Sequence, residues 1–303
     1  MRDTCLNEIY ELAKKDKRVV YIGSDLSPST LSDFKRDFPD RFFMEGISEA
    51  HIVGMAAGLA MNGFIPYVNT IATFLTRRCF EQLVDDVCVH NLPVRFVASG
   101  GGLIYAPLGP THISFDDMAI LRPIPNMTIV ACADSDEMKR FMRQTLNYKG
   151  PIYIRLSNDP KVTGDLPFKI GKAQIVSKGR KILIVTTGVC LKIALEAAKI
   201  LEGKNVKPTI LHMPTVKPLD KKMLLDNLEV AEIVISVEEG TIIGGLGSAV
   251  AEVLAEANFK KPKKFKRIGV NDQFPVEYGS QATLMEKYRI TSSEIVKIIG
   301  LLR

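Results

Sequence analysis

Short apolar runs alternate with helical segments of about ten residues along almost the whole chain. Residues 19–23, 94–98 and 181–187 are three of the runs, and each has the length of a buried strand. A helix between two strands returns the chain to the end of the sheet where the first strand began, so the two strands lie parallel. This alternation predicts an α/β fold.

The alternation is interrupted near the middle of the chain. Between 156 and 171 the chain has no clear periodicity and contains two glycines and two prolines, a composition typical of a linker. A length of 303 residues also favours two domains. We therefore predict two three-layer domains with mostly parallel sheets, over residues 1–160 and 176–303, joined by a linker at 161–175.

Composition excludes several classes of protein. Hydrophobic residues make up 46% and charged residues 24%, an ordinary globular balance. The chain has neither a run of 18 apolar residues nor an apolar signal core at its N-terminus, so we expect a cytoplasmic protein. The five cysteines are far apart and form no CxxC pair, which favours reduced, buried thiols over a metal site.

Two segments suggest other ligands but have simpler explanations. The net charge is +6, and residues 260–267 contain six basic side chains. That run could bind nucleic acid, although lysines are also common on the edge strand of a sheet, which we favour. Gly-Gly-Leu-Gly at 244–247 is similar to a dinucleotide fingerprint, but the glycine order is wrong. A tight turn between a strand and a helix accounts for it better.

Four side chains between residues 43 and 127 are candidates for chemistry. Glu49 begins an Ala- and Gly-rich helix, Phe74 and Phe80 lie in a predicted helix at 74–89, and His112 ends a Gly-Pro-Thr-His turn. Each has an ordinary structural alternative. An acid in the first helical turn is favoured by the helix dipole, the aromatic rings could pack in the core, and the histidine could simply stabilise a turn.

In this order and spacing, however, the motifs resemble the transketolase family of thiamine diphosphate enzymes. The motifs are Gly46-Ile47-Ser48-Glu49-Ala50-His51, Thr73-Phe74-Leu75, Gly109-Pro110-Thr111-His112 and Leu121–Met127, together with Val237-Glu238-Glu239-Gly240 in the second half. The region from Glu49 to Met127 is also similar to 1-deoxyxylulose-5-phosphate synthase. The resemblance covers essentially the whole chain. It implies the pyrimidine module of the thiamine diphosphate-binding fold, followed by a transketolase C-terminal domain.

The resemblance also implies roles for individual residues. Glu49 matches the family glutamate that bonds N1′ of the cofactor's aminopyrimidine and drives the 4′-amino group toward its imine form. Ile47, Phe74 and Phe80 fall where the family surrounds the pyrimidine ring. His112 matches a catalytic histidine at the substrate edge of the site, where it would exchange a proton with a substrate oxygen.

On the substrate side the chain departs from the family. Arg2 and Ser29 align with an arginine and a serine that hold the sugar phosphate. The family's second phosphate-binding arginine aligns with Asn158. Its aspartate that contacts a sugar hydroxyl aligns with Leu108, and one of its histidines aligns with Gly100. An amide cannot replace a guanidinium against phosphate. We therefore expect substrates other than the usual pentose phosphates.

The resemblance implies a partner as well. Full-length transketolases hold Mg²⁺ and the diphosphate through a Gly-Asp-Gly…Asn motif in an N-terminal domain, and this chain has no Gly-Asp-Gly. We expect no metal ligand here. We expect instead a separate N-terminal subunit that carries the diphosphate and Mg²⁺ site, in an assembly of two copies of each chain.

Several functions remain open at this point. The first is transfer of a two-carbon ketol or related acyl unit from a ketose or 2-oxo donor to an aldehyde. The alternatives are the β subunit of a 2-oxoacid dehydrogenase, a carboligase like 1-deoxyxylulose-5-phosphate synthase, and a non-catalytic interaction subunit. The sequence suggests no role for Glu45.

Overall fold

A computed structural model describes residues 1–26 and 29–303, which form two α/β domains. In the described part of the first half of the chain, six strands alternate with six α-helices. The strands are β1 (Val19–Gly23), β2 (Phe42–Met44), β3 (Ile65–Ile71), β4 (Arg95–Ser99), β5 (Thr128–Ala131) and β6 (Ile152–Arg155). The helices are α1 (Arg2–Lys15), α2 (Ser32–Asp37), α3 (Glu49–Met61), α4 (Ala72–Arg77), α5 (Asp117–Leu121) and α6 (Ser135–Thr145).

The second half of the chain continues the alternation. Its strands are β7 (Gln174–Ser177), β8 (Ile182–Thr186), β9 (Thr209–His212), β10 (Thr215–Lys217), β11 (Ile233–Thr241) and β12 (Lys264–Val270). Its helices are α7 (Cys190–Glu202), α8 (Lys221–Val230), α9 (Leu246–Glu256), α10 (Gln281–Lys287) and α11 (Ser292–Leu302). In the part of the chain that the structure describes, no helix is long and apolar enough to cross a membrane.

Each domain is built around one sheet. The first sheet has the order β10-β5-β6-β4-β3-β1-β2, and the second has the order β12-β11-β8-β9-β7. All neighbours pair in parallel except β10 with β5 and β7 with β9. The predicted mostly parallel fold is therefore confirmed. The basic strand β12 lies at a sheet edge, as predicted.

Strand β10 departs from the expected division into domains. It belongs by sequence to the second half, between β9 and α8, yet it pairs with β5 at the edge of the first sheet. Three residues are too few to show the alternation that identifies a strand, so sequence analysis missed it.

The helix that was expected at 74–89 is divided. Helix α4 ends at Arg77, a turn follows at Arg78 and Cys79, and a π-helical segment runs from Gln82 to Cys88. Helical turns of the π type are often found at functional sites. The break leaves Arg78 exposed at the carboxyl end of the first sheet.

The carboxyl end of the second sheet faces the first domain. The Gly188 N–H, just after β8, donates to the Ala131 carbonyl at 3.1 Å, and the Ala131 N–H donates to the Pro214 carbonyl at 2.8 Å. The N–H of Thr241, the last residue of β11, donates to the Phe115 carbonyl at 2.8 Å. These backbone bonds join the domains edge to edge.

Candidate functional site

Glu49 is buried at the start of α3. Its side chain is only 5% exposed, whereas an acid placed solely to favour the helix dipole would face solvent. The backbone turns toward the helix at Gly46, where φ is +69°, a conformation that favours glycine. Arg78 donates from Nη1 to Oε2 of Glu49 at 3.2 Å. The buried carboxylate therefore meets a half-exposed cation that arrives from the turn after α4.

Arg78 connects Glu49 to Phe74, which in turn contacts His112. Its guanidinium carbon lies 3.7 Å from the ring centre of Phe74, close enough for a cation–π contact. The rings of Phe74 and His112 meet edge to face, with centroids 5.0 Å apart. We call Glu49, Arg78, Phe74 and His112 the Glu49 cluster. The structure thus brings together the predicted residues Glu49, Phe74 and His112, which are widely separated in sequence.

Arg78 was missed by sequence analysis. An arginine next to Arg77 on a helical segment reads as part of a solvated face, and only the fold brings it to Glu49. Arg77 itself turns the other way and pairs with Asp116 at 2.7 Å.

Two further predicted cofactor contacts border the Glu49 cluster. Phe80 is 39% exposed and shares an open hollow with Arg78, so the alternative that it packs in the core is wrong. Ile47 lies two residues before Glu49 and is 71% exposed. Large apolar side chains in such exposed positions suggest a surface that binds another protein or a ligand.

Within the described part of the chain, no hydrogen bond or ion pair links the predicted substrate residues Arg2, Ser29 and Asn158 to the Glu49 cluster. Arg2 is half-buried at the start of α1, and its Nε is buried without an acceptor in that part of the chain. Ser29 is exposed. The Asn158 amide donates to Gln281 of the second domain, so it is already engaged.

Gly100 and Leu108 lie in the loop that leads from β4 to His112. Gly100 has a φ of +76°, and a side chain there would collide with the Tyr105 ring. The aromatic ring therefore fills the space beside the position where the family has a histidine. Leu108 is 50% exposed and presents an apolar surface four residues before His112.

Two buried acids, Glu238 and Glu239, follow the regularly paired part of β11. Glu238 accepts the N–H groups of Leu246 and Gly247 at 2.8 and 2.7 Å, at the start of α9. Burial raises the pKa of Glu238 to about 7. A side chain at Gly245 would collide with this carboxylate. Close packing against the Glu238 carboxylate therefore explains Gly245. Gly244 has a φ of +85°, which fits the predicted tight turn between strand and helix.

Glu239 reaches in the opposite direction, into the first domain. Its carboxylate accepts the Leu103 N–H at 2.8 Å and the Gln281 amide at 2.6 Å. Its backbone carbonyl accepts from Nη2 of Arg155 at 2.7 Å, and Nε of the same arginine donates to Asp117 at 2.8 Å. Burial raises the pKa of Glu239 as well. The sequence feature that points to these two buried side chains is a pair of acids next to an apolar run.

The thiols offer no nucleophilic group. All five cysteines are free and buried, as predicted. Cys79 adjoins Arg78, and burial, followed by the charge of Glu49, raises the pKa of its thiol to about 12. Across residues 1–26 and 29–303, no group of three side chains is arranged to hold a metal ion.

Comparison with protein families matches both halves of the chain. Residues 1–159 match the model of the transketolase pyrimidine-binding domain, and residues 171–295 match that of the transketolase C-terminal domain. The chain is 36% identical to the 6-deoxy-6-sulfo-D-fructose transketolase subunit of a Clostridium species, across 98% of this chain and 92% of that protein. It is also 36% identical to a putative transketolase C-terminal section of Methanocaldococcus jannaschii, across 96% and 92%.

A second group of relatives is longer. The 1-deoxy-D-xylulose-5-phosphate synthase of Dictyoglomus thermophilum is 37% identical over 97% of this chain, which spans only 48% of that enzyme. Among solved structures, a split-gene transketolase described as an inactive beta4 tetramer is 34% identical, with a TM-score of 0.90 and coverage of 99% and 97%. A transketolase from Pichia stipitis shares the fold with a TM-score of 0.80 at 18% identity, and the chain covers 45% of it.

Proposed function

Because this chain belongs to the transketolase family, we propose that it is the C-terminal subunit of a split thiamine diphosphate-dependent enzyme. The proposed reaction is transfer of a two-carbon ketol or related acyl unit from a ketose or 2-oxo donor to an aldehyde. The observation that carries the proposal is the Glu49 cluster.

The Glu49 cluster fits the pyrimidine half of the cofactor. The Arg78 guanidinium is flat, stacks on Phe74 and donates a hydrogen bond to the buried Glu49 carboxylate. An aminopyrimidine is also flat, stacks on aromatic rings and bonds a carboxyl group. The chain's own guanidinium thus makes the two kinds of contact that the cofactor ring requires. We infer that Arg78 moves aside when the ring enters.

The residues of this chain then have distinct tasks. When bound, thiamine diphosphate supplies a carbanion at its thiazolium C2. Glu49 holds the proton that it shares with N1′, in a place sheltered from water. Phe74, with Ile47 and Phe80 at the border, positions the ring. His112, half-buried beside Phe74, exchanges a proton with the substrate oxygen.

The diphosphate and Mg²⁺ belong, in this proposal, to a partner subunit. A hard cation takes several oxygen ligands, and the Glu49 cluster offers one carboxylate. Large apolar side chains stay exposed in the first domain, as an unfilled subunit interface would leave them: Ile47, Met61, Phe80, Val89 and Leu108. We propose an N-terminal transketolase subunit as the partner and two copies of each chain in the assembly. A cytoplasmic location stays a prediction.

The proposed substrate is not a usual pentose phosphate. The buried Nε of Arg2, which lacks an acceptor among the described residues, suits an anionic group. The resemblance gives Ser29 the same task. Gly100, Leu108 and Asn158, in contrast, supply none of the family's charged contacts. A Clostridium relative named for a sulfonated sugar supports an unusual sugar or sugar-like substrate.

The resemblance to 1-deoxyxylulose-5-phosphate synthases supports a second candidate. Five of these enzymes are 34–37% identical to the chain, although the chain spans about half their length. The corresponding reaction would condense a 2-oxo acid such as pyruvate with an aldehyde and release CO₂. Release of CO₂ distinguishes it from ketol transfer out of a ketose, which releases an aldose and no CO₂.

The test is recovery of the native assembly from the source cells. We expect a partner with a Gly-Asp-Gly…Asn motif to copurify with the chain, together with bound thiamine diphosphate. Ketoses, pyruvate and a panel of aldehydes would then be screened for the new ketose product and for CO₂. A chain that recovers neither partner nor cofactor would refute the split-enzyme proposal. Turnover of xylulose 5-phosphate with ribose 5-phosphate at an ordinary transketolase rate would refute the substrate proposal.

A further inference from the structure

We propose that Glu239 is a positioning residue, through which the second domain fixes the loop that places His112. The catalytic role of His112 rests on the proposed function. The contact between Glu239 and the loop, which we call the clamp, rests on geometry alone. We call residues 100–112 the histidine loop. It runs from the end of β4 to the candidate catalytic side chain.

The histidine loop is closed at its base. Gly102 and Ser114 exchange two backbone hydrogen bonds, each 3.0 Å long, so the segment between them forms a lobe. Near the other end, the His112 N–H donates to the Gly109 carbonyl at 3.0 Å. A displacement of the base would therefore be transmitted along a short, internally bonded segment to the histidine.

Glu239 holds that base. Leu103 is the first residue of the lobe, and its buried N–H donates to Oε1 of Glu239 at 2.8 Å. Gly102 has a φ of +72°, and a Cβ there would collide with the Glu239 carboxylate. The loop backbone therefore lies directly against the carboxylate.

Glu239 is itself fixed on several sides. Gln281 donates to Oε1 at 2.6 Å and Ser157 to Oε2 at 3.3 Å, while Arg155 donates to the backbone carbonyl. The Glu239 end of each bond is sheltered from water, since Glu239 is 1% exposed. A carboxyl group this deeply buried and this well bonded is costly to misplace.

A second contact supports the same role for the second domain. Gly109 has a φ of +77°, and a Cβ there would lie 2.7 Å from the Tyr278 ring. Tyr278 precedes α10, the helix that also contributes Gln281. The second domain thus contacts the histidine loop at its base and again beside His112.

The adjacent acid provides a matched control. Glu238 is equally buried, and its carboxylate accepts two backbone N–H groups. Both donors belong to the second domain, at the start of α9. Glu239→Ala and Glu238→Ala each remove a buried carboxylate, and only the first removes a contact with the histidine loop. Glu239→Gln retains one acceptor oxygen and serves if the alanine variant does not fold.

Amide hydrogen exchange on the full chain tests the clamp without an activity assay. In Glu239→Ala we expect exchange across 100–112 to accelerate at least about tenfold, the equivalent of about 1.4 kcal/mol in local opening. Glu239→Gln should fall between this and the wild type. Glu238→Ala should accelerate exchange at the start of α9 and leave 100–112 unchanged. Unchanged exchange of the loop in Glu239→Ala, or equal acceleration in Glu238→Ala, would overturn the proposal.

The assembled enzyme tests the consequence for catalysis. We expect Glu239→Gln to lower kcat about tenfold while thiamine diphosphate affinity stays within about twofold, because a loop shift misplaces His112 and leaves Glu49 and Phe74 alone. Unchanged kcat despite a loosened loop would overturn the positioning role. If the wild-type assembly transfers no two-carbon unit, the proposed function fails, while the exchange result still decides the clamp.

Discussion

The carboxyl ends of the two sheets are covered differently. In the first domain, this end presents a buried carboxylate beside half-exposed aromatic and cationic side chains, Glu49 with Phe74 and Arg78. In the second domain, it is buried against the first. There His212, the last residue of β9, lies with its Nε2 3.1 Å from the Glu137 carboxylate, and both side chains are inaccessible to solvent.

This difference assigns separate tasks to two domains of one fold class. Ligands of open α/β sheets bind beyond the carboxyl ends of the strands. In the second domain that region is occupied by contacts with the first domain, so we propose the first domain as the place for chemistry. The similarity of the folds alone would not have distinguished them.

The largest effect is expected from Glu49→Ala, which tests whether the open end carries the chemistry. Loss of the carboxyl group that shares a proton with the cofactor should lower kcat of the assembled enzyme about 10³-fold or more. Glu45→Gln changes an exposed carboxylate four residues earlier and should have little effect. Retention of activity in Glu49→Ala would remove the acid from the mechanism and favour a non-catalytic subunit.

A smaller loss is expected from His112→Ala. Proton exchange with the substrate would be left to water, so kcat should fall about 10²-fold while thiamine diphosphate affinity is preserved. His90→Ala alters an exposed histidine outside the Glu49 cluster and serves as the control. Equal losses in both variants would show that the histidine at 112 has no special role.

Glu238→Gln tests how deeply the carboxyl end of the second sheet is buried. A folded-state pKa of about 7 lies above the ordinary value of 4.5, so the folded chain binds more protons than the unfolded chain between these pH values. The contribution of Glu238 to stability therefore falls as pH rises from 4.5 to 7, by about 3 kcal/mol.

Glutamine cannot titrate, so the free energy of unfolding of the variant should rise relative to that of the wild type over this interval and then level off. Denaturant unfolding of both proteins at a series of pH values measures the difference. A constant difference between pH 4.5 and 8 would show that the acid is not held in an apolar environment.

The smallest effect is expected from Arg78→Ala. A half-exposed ion pair and a cation–π contact together contribute about 0.5–1 kcal/mol. If the guanidinium must leave before the pyrimidine ring enters, its removal should tighten thiamine diphosphate binding to the assembly about two- to fivefold, as measured by calorimetry. Arg78→Lys keeps the charge without the flat donor group and should lie between. Weaker binding in Arg78→Ala would show that the arginine assists the cofactor.

The family and the α/β fold could be predicted from sequence, and both are confirmed by the family models and by the sheets. The predictions succeeded because buried parallel strands and their helices leave long, regular patterns. The proximity of Glu49, Phe74 and His112 followed from the resemblance. Their roles, the assembly of two copies of each chain and the Mg²⁺ site on the partner stay predictions.

What sequence analysis missed depends on contacts between distant segments. Arg78 meets Glu49 only because α4 ends one residue earlier, which a helix predicted over 74–89 did not allow. Glu239 reaches Leu103 only after two domains have docked. Strand β10 is too short to leave a periodic pattern. In each case the deciding partner lies far away along the chain.

Strand β10 also makes the two domains interdependent. It is contributed by the second half and completes the edge of the first sheet, so a fragment of residues 1–160 would expose the unpaired backbone of β5. An open strand edge of that kind invites intermolecular pairing and aggregation. Unfolding of the second domain would withdraw the same strand, so heat or denaturant should melt both domains in one cooperative transition.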